Sequence, residues 1–571
     1  MTVICAVFIQ ADAAAETPKK ASVYILRYDA IHQPVYGANG MVASQNTASS
    51  EVGRDILARG GNAIDAAVAM GFSLAVTLPR AGNLGGGGFM LVHVAAENKT
   101  VAIDYRGTAP SRAKASDFLD REGKVDAKRS KLGHTSSTVP GTVAGLYAAH
   151  QRWGKLPWKT LLQPAIKQAS KGIQVNRDLA WAIQAKRSVL AKNPESLNTF
   201  FKADGVGFEE GELMRRPQLA KTLKLIAKKG RDGFYRGAVA EKIEKDMALH
   251  GGLITRDDLA NYEAVVKAPL KGSYRGHDVV TMPPPAGGVH LLQMLNTLEH
   301  FPLGQWGSQS SKTVHVLSES MKRAYAYRAE FLGDPDFASV PTQWLMSKTL
   351  AADLAEGITP NRATPVAEIK PKHPASLDES ADTTHYSIMD SEGNAVSNTY
   401  TLSASFGSGV TVKDTGILMN NQINNFALRY GVPGATGARA SFANSLAPGK
   451  RTKSTQTPII VFAQGRPWFA SGTPGGRRII TTMVQVVSNV IDHGMNIADA
   501  THAPRIHQGW SSDTLEHEPG FSEDTLGALR AMGHPLKQGA TMGSVQSVLW
   551  QNNQFSGAAD PRRPNASARG F

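Results

Sequence analysis

The sequence predicts a globular protein built from layers of α-helix and β-sheet. Two helical segments, residues 49–59 and 63–78, are separated by a glycine pair and followed by a glycine-rich turn and the strand-like residues 89–92. Further on, two alternating segments flank a polar turn at residues 391–394, which is typical of a β-hairpin. Helix, glycine turn, strand and hairpin together indicate a mixed α and β architecture.

The composition is that of a globular protein with a large interior. Hydrophobic residues make up 42% of the 571 positions and charged residues 19%, so two domains or one composite core are expected. Lys and Arg exceed Asp and Glu by 62 to 48, but the basic residues are scattered and form no dense block with interleaved aromatics. The excess of positive charge therefore favours solubility, and no nucleic-acid partner is predicted.

The first residues contain an export-like signal. Residues 3–9 are apolar and several alanines follow, which is typical of a secretory leader, although the usual positive n-region is missing. A start further upstream or a simple tail are the alternatives. Residues 1–39 are thus predicted as a signal-like segment and linker, and a periplasmic or secreted location is expected. The single cysteine, Cys5, lies in this segment and excludes a disulfide scaffold or thiol catalysis in the body.

Periodicity gives the remaining elements. No membrane span is predicted, because the best candidate, residues 66–78, is too short to cross about 30 Å of hydrocarbon. A mainly helical region, a late hairpin and a C-terminal helix follow from 3.6-residue and 2-residue patterns. The predicted helices are residues 161–170, 179–192, 219–229, 314–332 and 479–491. One strand is predicted to end in the Pro-rich turn at residues 279–285, and further strands are predicted at residues 384–390, 395–402, 459–462 and 468–470. Residues 345–380 are predicted as an exposed linker.

The sequence lacks several familiar catalytic and cofactor-binding motifs. There is no HExxH zinc motif, no phosphate loop and no G-x-S-x-G elbow, and the glycine run at residues 85–88 lacks the strand–loop–helix order of dinucleotide binding. The sixteen histidines show no metal-ligand spacing, and His385 in its strand is expected to be packed. We therefore predict no metal and no cofactor.

Thr383 is the candidate nucleophile. It begins the predicted hairpin directly after the Pro-rich linker. If the chain is cut before it, its hydroxyl attacks an amide while its own α-amine, with an ordinary pKa of about 7.7–8.0, accepts the proton. In the uncut chain the same hydroxyl can attack the carbonyl of Asp382. By spacing alone, a Thr-Thr pair at a strand start is usually explained by β-propensity.

Collinear motifs resemble those of the γ-glutamyltranspeptidases. They span residues 40–571 in the order that the family shows. In the second part they are TTHYS (383–387), GNAV (393–396), TYTL (399–402), GILMNNQ (416–422), SGTPGGR (471–477) and ADPR (559–562); upstream they are GGGGFML (85–91), DYR (104–106), VPGTV (139–143) and MPPP (282–285).

The resemblance implies the fold and the organisation of the chain. It implies an α/β (α+β) protein with a four-layer αββα sandwich of the N-terminal-nucleophile hydrolase type. It also implies self-cleavage between Asp382 and Thr383 into a large subunit, residues 40–382, and a small subunit, residues 383–571. The two subunits are expected to remain together as a heterodimer. The expected substrates are γ-glutamyl or related acyl-amide small molecules.

The resemblance also assigns roles to single positions. Thr383 matches the nucleophile, Thr401 the residue that orients it, and the amides of Gly475 and Gly476 the oxyanion hole. The matches for substrate binding are Arg106, Ser454 and Thr455 at the α-carboxylate, and Ser403 and Gln422 at the α-amino end. A guanidinium suits a carboxylate because it binds in a bidentate fashion.

Two positions depart from the family pattern. Asn425 stands where glutamyl-specific members carry Asp, the counter-charge for the α-ammonium, so a weaker hold on γ-glutamyl amines is expected. Residues 433–445 match a lid, with Thr436 in place of a gating Tyr. The resemblance favours a γ-glutamyltranspeptidase or glutathione hydrolase. The first alternative is an acylase of the same mechanism acting on glutaryl or cephalosporin-type side chains, and the second is a homologue without catalysis, against which the intact set of matched site residues argues.

Overall fold

The computed structural model describes residues 30–369, 382–429 and 441–571. The predicted export signal, residues 370–381 ahead of Asp382, and the part of the lid that contains Thr436 lie outside the described residues. Within the three ranges, no helix combines the length and the apolar character needed to span a bilayer.

Short and long β-strands are distributed along the whole chain. They are β1 Val35–Gly37, β2 Gly40–Ser44, β3 Gly87–Val94, β4 Lys99–Asp104, β5 Ile173–Gln174, β6 Leu213–Met214, β7 Val265–Lys267, β8 Leu270–Tyr274, β9 His277–Thr281, β10 Asp382–Asp390, β11 Ala395–Ser403, β12 Ile459–Ala463, β13 Arg466–Gly472, β14 Ile506–His507, β15 Leu515–His517, β16 Leu536–Gln538, β17 Gln546–Gln551, β18 Gln554–Ala559 and β19 Ser567–Gly570.

The α-helices fall between and after these strands. They are α1 Thr47–Ala58, α2 Ala63–Thr77, α3 Ala127–Lys131, α4 Thr142–Trp153, α5 Trp158–Lys171, α6 Arg177–Ala185, α7 Arg187–Leu190, α8 Pro194–Phe200, α9 Pro217–Lys229, α10 Asp232–Tyr235, α11 Gly237–Leu249, α12 Arg256–Asn261, α13 Gly288–Leu298, α14 Leu303–Trp306, α15 Ser311–Phe331, α16 Thr342–Leu345, α17 Lys348–Glu356, α18 Ile479–Ile491, α19 Ile497–His502 and α20 Glu523–Ala531.

Two seven-stranded sheets form the centre of the protein. The first has the strand order β19-β2-β10-β11-β3-β4-β7, and the second has the order β1-β18-β17-β13-β12-β9-β8. All neighbouring strands in both sheets are antiparallel. Each sheet therefore combines strands from before and after the predicted cleavage point.

Three apolar clusters define four layers. Alternate residues of one strand point to opposite faces of its sheet, so Met41 and Val42 enter different clusters. Met41 lies between the two sheets with Ile460 of the second sheet. Val42 packs with helix α2 on the outer face of the first sheet, and Val461 packs with helices α13, α15 and α18 on the outer face of the second. The arrangement is helix, sheet, sheet, helix, which confirms the predicted αββα sandwich.

Most predicted elements are confirmed, with two corrections at the presumed linkers. The segment before Gly40 is not wholly a linker, because β1 pairs with β18 at the edge of the second sheet. Residues 345–369 are not an exposed linker either. They contain helix α17, and Ile358 and Ile369 are buried in the outer core. In both places short apolar stretches within polar sequence contribute to the core through contacts that are distant along the chain.

Several histidines are buried in this core as neutral groups. Burial lowers the pKa of His290 to about 3 and the pKa of His534 to about 4, and it holds the pKa of His507 well below its usual value. The unfolded chain therefore binds more protons than the folded one between pH 6.5 and about 4. The stability that these groups contribute is complete above pH 6.5 and is lost as the pH falls through this window.

We expect the melting temperature to fall steeply between pH 6.5 and 4, with a contribution of up to about 1.4 kcal/mol per pH unit from each such histidine. Calorimetry of His290→Gln should show a shallower decline than the wild-type protein. His300→Gln, which changes an exposed histidine two residues beyond the same helix, should leave the slope unaltered. A melting temperature that stays constant down to pH 4.5 would contradict this account.

Candidate active site

Thr383 lies at an irregularity in the hairpin. Asp382 pairs with Ser403 and Thr384 pairs with Tyr400, so the ladder skips a register between them. Such a bulge interrupts the regular hydrogen bonds of a strand and re-aims a side chain. Ser403 has a positive φ of 84°, which is rare for a residue other than glycine. The predicted cleavage point is therefore at a locally strained end of the central hairpin.

A chain of hydroxyls connects the candidate nucleophile to the carbonyl of the residue before it. The Thr383 hydroxyl donates to the Thr401 hydroxyl at 3.3 Å. The Thr401 hydroxyl donates to the carbonyl oxygen of Asp382 at 2.7 Å, and it accepts from the Ser403 amide at 2.8 Å. Thr401 is thus fixed by three hydrogen bonds, and it polarises the carbonyl that precedes the candidate nucleophile.

Most of the predicted site residues line one small cavity. Its volume is about 290 Å³, part of it open to solvent. Eight of the ten catalytic and substrate-binding positions named from the sequence contribute to its wall. The lining residues are Arg106, Thr383, Thr401, Ser403, Asn425, Lys453, Ser454, Thr455, Gln456, Gly476 and Ile479.

Arg106 supplies a buried guanidinium to this cavity. It follows strand β4, its amide donates to the Asp104 carboxylate at 3.0 Å, and its carbonyl accepts from the Tyr262 hydroxyl at 2.9 Å. The residue is only 1% exposed. A cation held in this way beside a polar cavity is suited to an anionic group on a ligand.

Gly475 and Gly476 form the turn before helix α18. Both have positive φ values, 140° and 55°, which a side chain would make costly. A short 3₁₀ turn, Gly476–Arg478, then leads into α18. Amides at this end of a helix carry partial positive charge, so an oxyanion beside Gly476 is favoured there.

Ser403 and Asn425 form another part of the wall. The Ser403 hydroxyl donates to the Asn425 side-chain oxygen at 3.1 Å, and the Asn425 carbonyl accepts from the Asn444 side chain at 2.7 Å. Ser454 is held nearby, because its amide donates to the Pro285 carbonyl at 2.8 Å. The Pro-rich turn at residues 282–285 therefore supports the carboxylate side of the predicted site.

Gln422 lies behind the wall. It is fully buried, and its side-chain amide donates to the Thr401 carbonyl at 3.2 Å. Its side-chain oxygen accepts from the Gly107 amide at 3.3 Å and from the Thr138 hydroxyl at the same distance. The structure therefore gives Gln422 the position of a brace between Thr401 and the Arg106 segment, and direct contact with the α-amino end stays a prediction.

Lys453, Gln456 and Ile479 line the cavity but were not predicted as site residues. Lys453 belongs to a basic cluster, residues 450–453, whose position directly before Ser454 was an available signal. Ile479 is the first residue of the apolar helix α18 and carried no polar signal at all.

His385 is packed, as predicted, between the sheets. Its two ring nitrogens lie 2.7 Å from the Thr399 hydroxyl and 2.8 Å from the Ser387 hydroxyl. A methyl group added to Gly472 of the opposite sheet would meet the imidazole at 2.3 Å. Burial lowers the pKa of His385 to about 3, so it remains neutral and is no general base near neutral pH.

Two histidine clusters appear that spacing did not reveal. His134 and His250 approach Asp246, but their rings are stacked with an angle of 14°, so their in-plane lone pairs do not converge. The second group is His315, Glu319 and His534. The carboxylate of Glu319 already pairs with Lys322 and Arg323, whose charges oppose a cation. In both groups the carboxylate already has a hydrogen-bond or ion-pair partner within the protein.

The fold and the site define a class of protein. Two facing antiparallel sheets between helical layers, with a threonine at the end of a central strand beside a polar cavity, are the features of the N-terminal-nucleophile hydrolases.

Comparisons with known proteins narrow this class. The model of the family described as "Gamma-glutamyltranspeptidase" matches residues 49–570. The "Glutathione hydrolase proenzyme" of Escherichia coli is 45% identical over 98% of this chain and 96% of its own length. The "Acylase ACY 1 proenzyme" of Pseudomonas sp. SE83 is 37% identical over 92% and 93%. The crystal structure of cephalosporin acylase from Bacillus halodurans superposes with a TM-score of 0.84 at 28% identity, covering 97% and 99%. The chain belongs to the γ-glutamyltranspeptidase family.

Proposed function

We propose that this chain cuts itself before Thr383 and then hydrolyses or transfers γ-glutamyl groups of glutathione-type amides. The observation that carries the proposal is the hydroxyl chain from Thr383 through Thr401 to the Asp382 carbonyl. It supplies a nucleophile, a proton path and a polarised carbonyl in one place. The names of the full-length relatives, hydrolase and acylase proenzymes, agree with this chemistry.

Self-cleavage proceeds by an acyl shift. The Thr383 oxygen adds to the Asp382 carbonyl carbon, the peptide C–N bond breaks, and the Thr383 nitrogen receives a proton as it becomes an amine. Water then hydrolyses the ester, which restores the Thr383 hydroxyl and leaves a carboxylic acid on Asp382. The new amine lies on the same residue as the hydroxyl, so its orientation as a base is set covalently.

In turnover the same hydroxyl attacks the substrate amide. Arg106, Ser454 and Thr455 bind the α-carboxylate of the acyl group, and Ser403 with Asn425 faces its α-amino end. The amides of Gly475 and Gly476 stabilise the tetrahedral oxyanion, a contribution of about 2.7–4 kcal/mol per donor where it has been tested by mutation. Water or an amine then releases the acyl group from Thr383.

The two products of self-cleavage remain associated. Strands β10 and β11 of the small subunit, residues 383–571, lie between β2 and β3 of the large subunit, residues 40–382. Separation would expose the apolar interior between the sheets, so a heterodimer is expected. We further propose a periplasmic or secreted location for this enzyme.

Glutaryl amides are the second candidate substrates. A glutaryl group keeps the carboxylate for Arg106 but lacks the α-amine, and Asn425 offers a neutral oxygen where a charge would bind an ammonium. A charged hydrogen bond contributes about 1.5–3 kcal/mol against 0.5–1.5 for a neutral one. The similarity to an acylase proenzyme supports this second candidate. Steady-state rates on a γ-glutamyl anilide and its glutaryl counterpart separate the two functions.

We expect Asn425→Asp to raise kcat/KM for the γ-glutamyl anilide by about tenfold, because the new carboxylate pairs with the substrate ammonium. The same change should lower kcat/KM for the glutaryl anilide, whose nearest charge is a carboxylate. Asn424→Asp adds the same charge one residue away, outside the cavity lining. This variant should change kcat/KM for neither the γ-glutamyl nor the glutaryl anilide. Equal effects of Asn425→Asp on both substrates would contradict the assignment of Asn425 to the α-amino end.

A further inference from the structure

The side chain of the residue before the cleavage point lies in a partly buried cluster of charges. The Asp382 carboxylate accepts from Arg80 Nη1 at 2.9 Å. A second guanidinium, that of Arg563, lies 3.9 Å from the same oxygen. Neither arginine is part of the cavity lining or of the family motifs that identified the site.

Arg80 is itself rigidly held. Its side chain is only 4% exposed, and its Nε donates to the Asp178 carboxylate at 2.9 Å. Its backbone carbonyl accepts from the Phe406 amide at 2.9 Å. Two carboxylates thus bind different nitrogens of one planar guanidinium, a geometry that a lysine cannot reproduce.

Asp382 is therefore fixed at two points. Its side chain is fixed by Arg80, and its carbonyl oxygen is fixed by the Thr401 hydroxyl at 2.7 Å. Between these anchors lies the carbonyl carbon that Thr383 must reach. The bulge at this place removes the ladder hydrogen bonds that would otherwise hold the peptide.

We propose that the Arg80–Asp382 ion pair positions the scissile peptide for self-cleavage, with Asp178 orienting Arg80 and Arg563 adding positive charge. Arg80 is a positioning residue, because it acts on the reacting carbonyl only through the side chain of Asp382. The inference rests on the proposed function, since it concerns the acyl shift from nitrogen to the Thr383 oxygen. It assigns the device to maturation and gives it no role in binding the substrate.

The test measures the rate of self-cleavage of freshly folded precursor by intact mass spectrometry. Asp382→Asn keeps the size of the side chain and removes its charge, and we expect cleavage to slow by about 10- to 100-fold. Arg80→Lys keeps the charge but cannot serve both carboxylates, so a similar slowing is expected. Asp55→Asn, which alters the exposed Arg54–Asp55 pair on helix α1, is the charge-matched control and should cleave at the wild-type rate.

Hydroxylamine distinguishes positioning from a later defect. It cleaves the ester that follows the acyl shift, so it rescues a variant that stalls at ester hydrolysis. We expect no rescue of Asp382→Asn, because its defect lies in the attack on the carbonyl. Melting temperatures of the uncleaved variants, within a few degrees of a Thr383→Ala precursor, exclude misfolding as the cause.

Three outcomes decide the matter. Cleavage of both variants at the wild-type rate, or full rescue by hydroxylamine, overturns the positioning role while the proposed function stands. A wild-type chain that never cleaves overturns the proposed function itself. Slow cleavage without rescue in both variants, at retained stability, supports the ion pair as the positioning device.

Discussion

Thr383→Ala should leave the chain in one piece and without amidase activity. The substitution removes the oxygen that attacks the Asp382 carbonyl, and it removes the nucleophile of turnover as well. We expect a single uncut species by intact mass spectrometry, of about 61 kDa when the signal-like segment is retained. Turnover of a γ-glutamyl anilide should fall by at least about 10⁴-fold, as for other enzymes that lose their nucleophile.

Thr384→Ala is the matched control. Thr384 is the next residue of the same strand, is fully buried, and its hydroxyl has no hydrogen-bond partner among the described residues. The loss of this hydroxyl should leave both cleavage and turnover close to the wild-type values. Cleavage of Thr383→Ala at the same bond, or turnover by its uncut chain, would remove Thr383 from the mechanism.

The sequence predicted the fold to the extent that local pattern and family motifs determine it. The apolar run of helix α18 was placed at its observed bounds, because 13 residues of helical periodicity leave little freedom. The hairpin of β10 and β11 followed from strict alternation around a Gly-containing turn. By contrast, β1 has three residues and forms only because β18, more than 500 positions away, offers an edge. The residues around β1 show no sequence pattern from which its pairing with β18 could be predicted.

The candidate site shows the same division. Positions inside motifs, such as Arg106 and Thr401, were predicted because a whole motif of several consecutive residues can be matched to the family. Gln422 was found too, but its place behind the wall depends on contacts with Gly107 and Thr138 that only the folded chain displays. The Arg80–Asp382 pair joins residues 302 positions apart, so neither residue alone indicated it.

Arg106→Lys should reduce kcat/KM for the γ-glutamyl anilide by about 10²-fold, mainly through KM. Lysine retains the positive charge but loses the bidentate geometry that a carboxylate requires. The site is buried, so water does not replace the lost hydrogen bond at low cost. An interaction that holds the substrate in both ground and transition states affects KM more than kcat. Steady-state kinetics of the matured variant measures the ratio.

A substrate change provides the control for this prediction. The 4-aminobutanoyl anilide is the γ-glutamyl anilide without its α-carboxylate, so it has nothing for Arg106 to bind. The wild-type enzyme should turn it over poorly, and Arg106→Lys should lower its kcat/KM by less than about twofold. The non-additivity of the two changes then measures the guanidinium–carboxylate interaction directly. If Arg106→Lys weakened both substrates equally, the arginine would be a structural element of the wall, and the α-carboxylate would be bound by Ser454 and Thr455 instead.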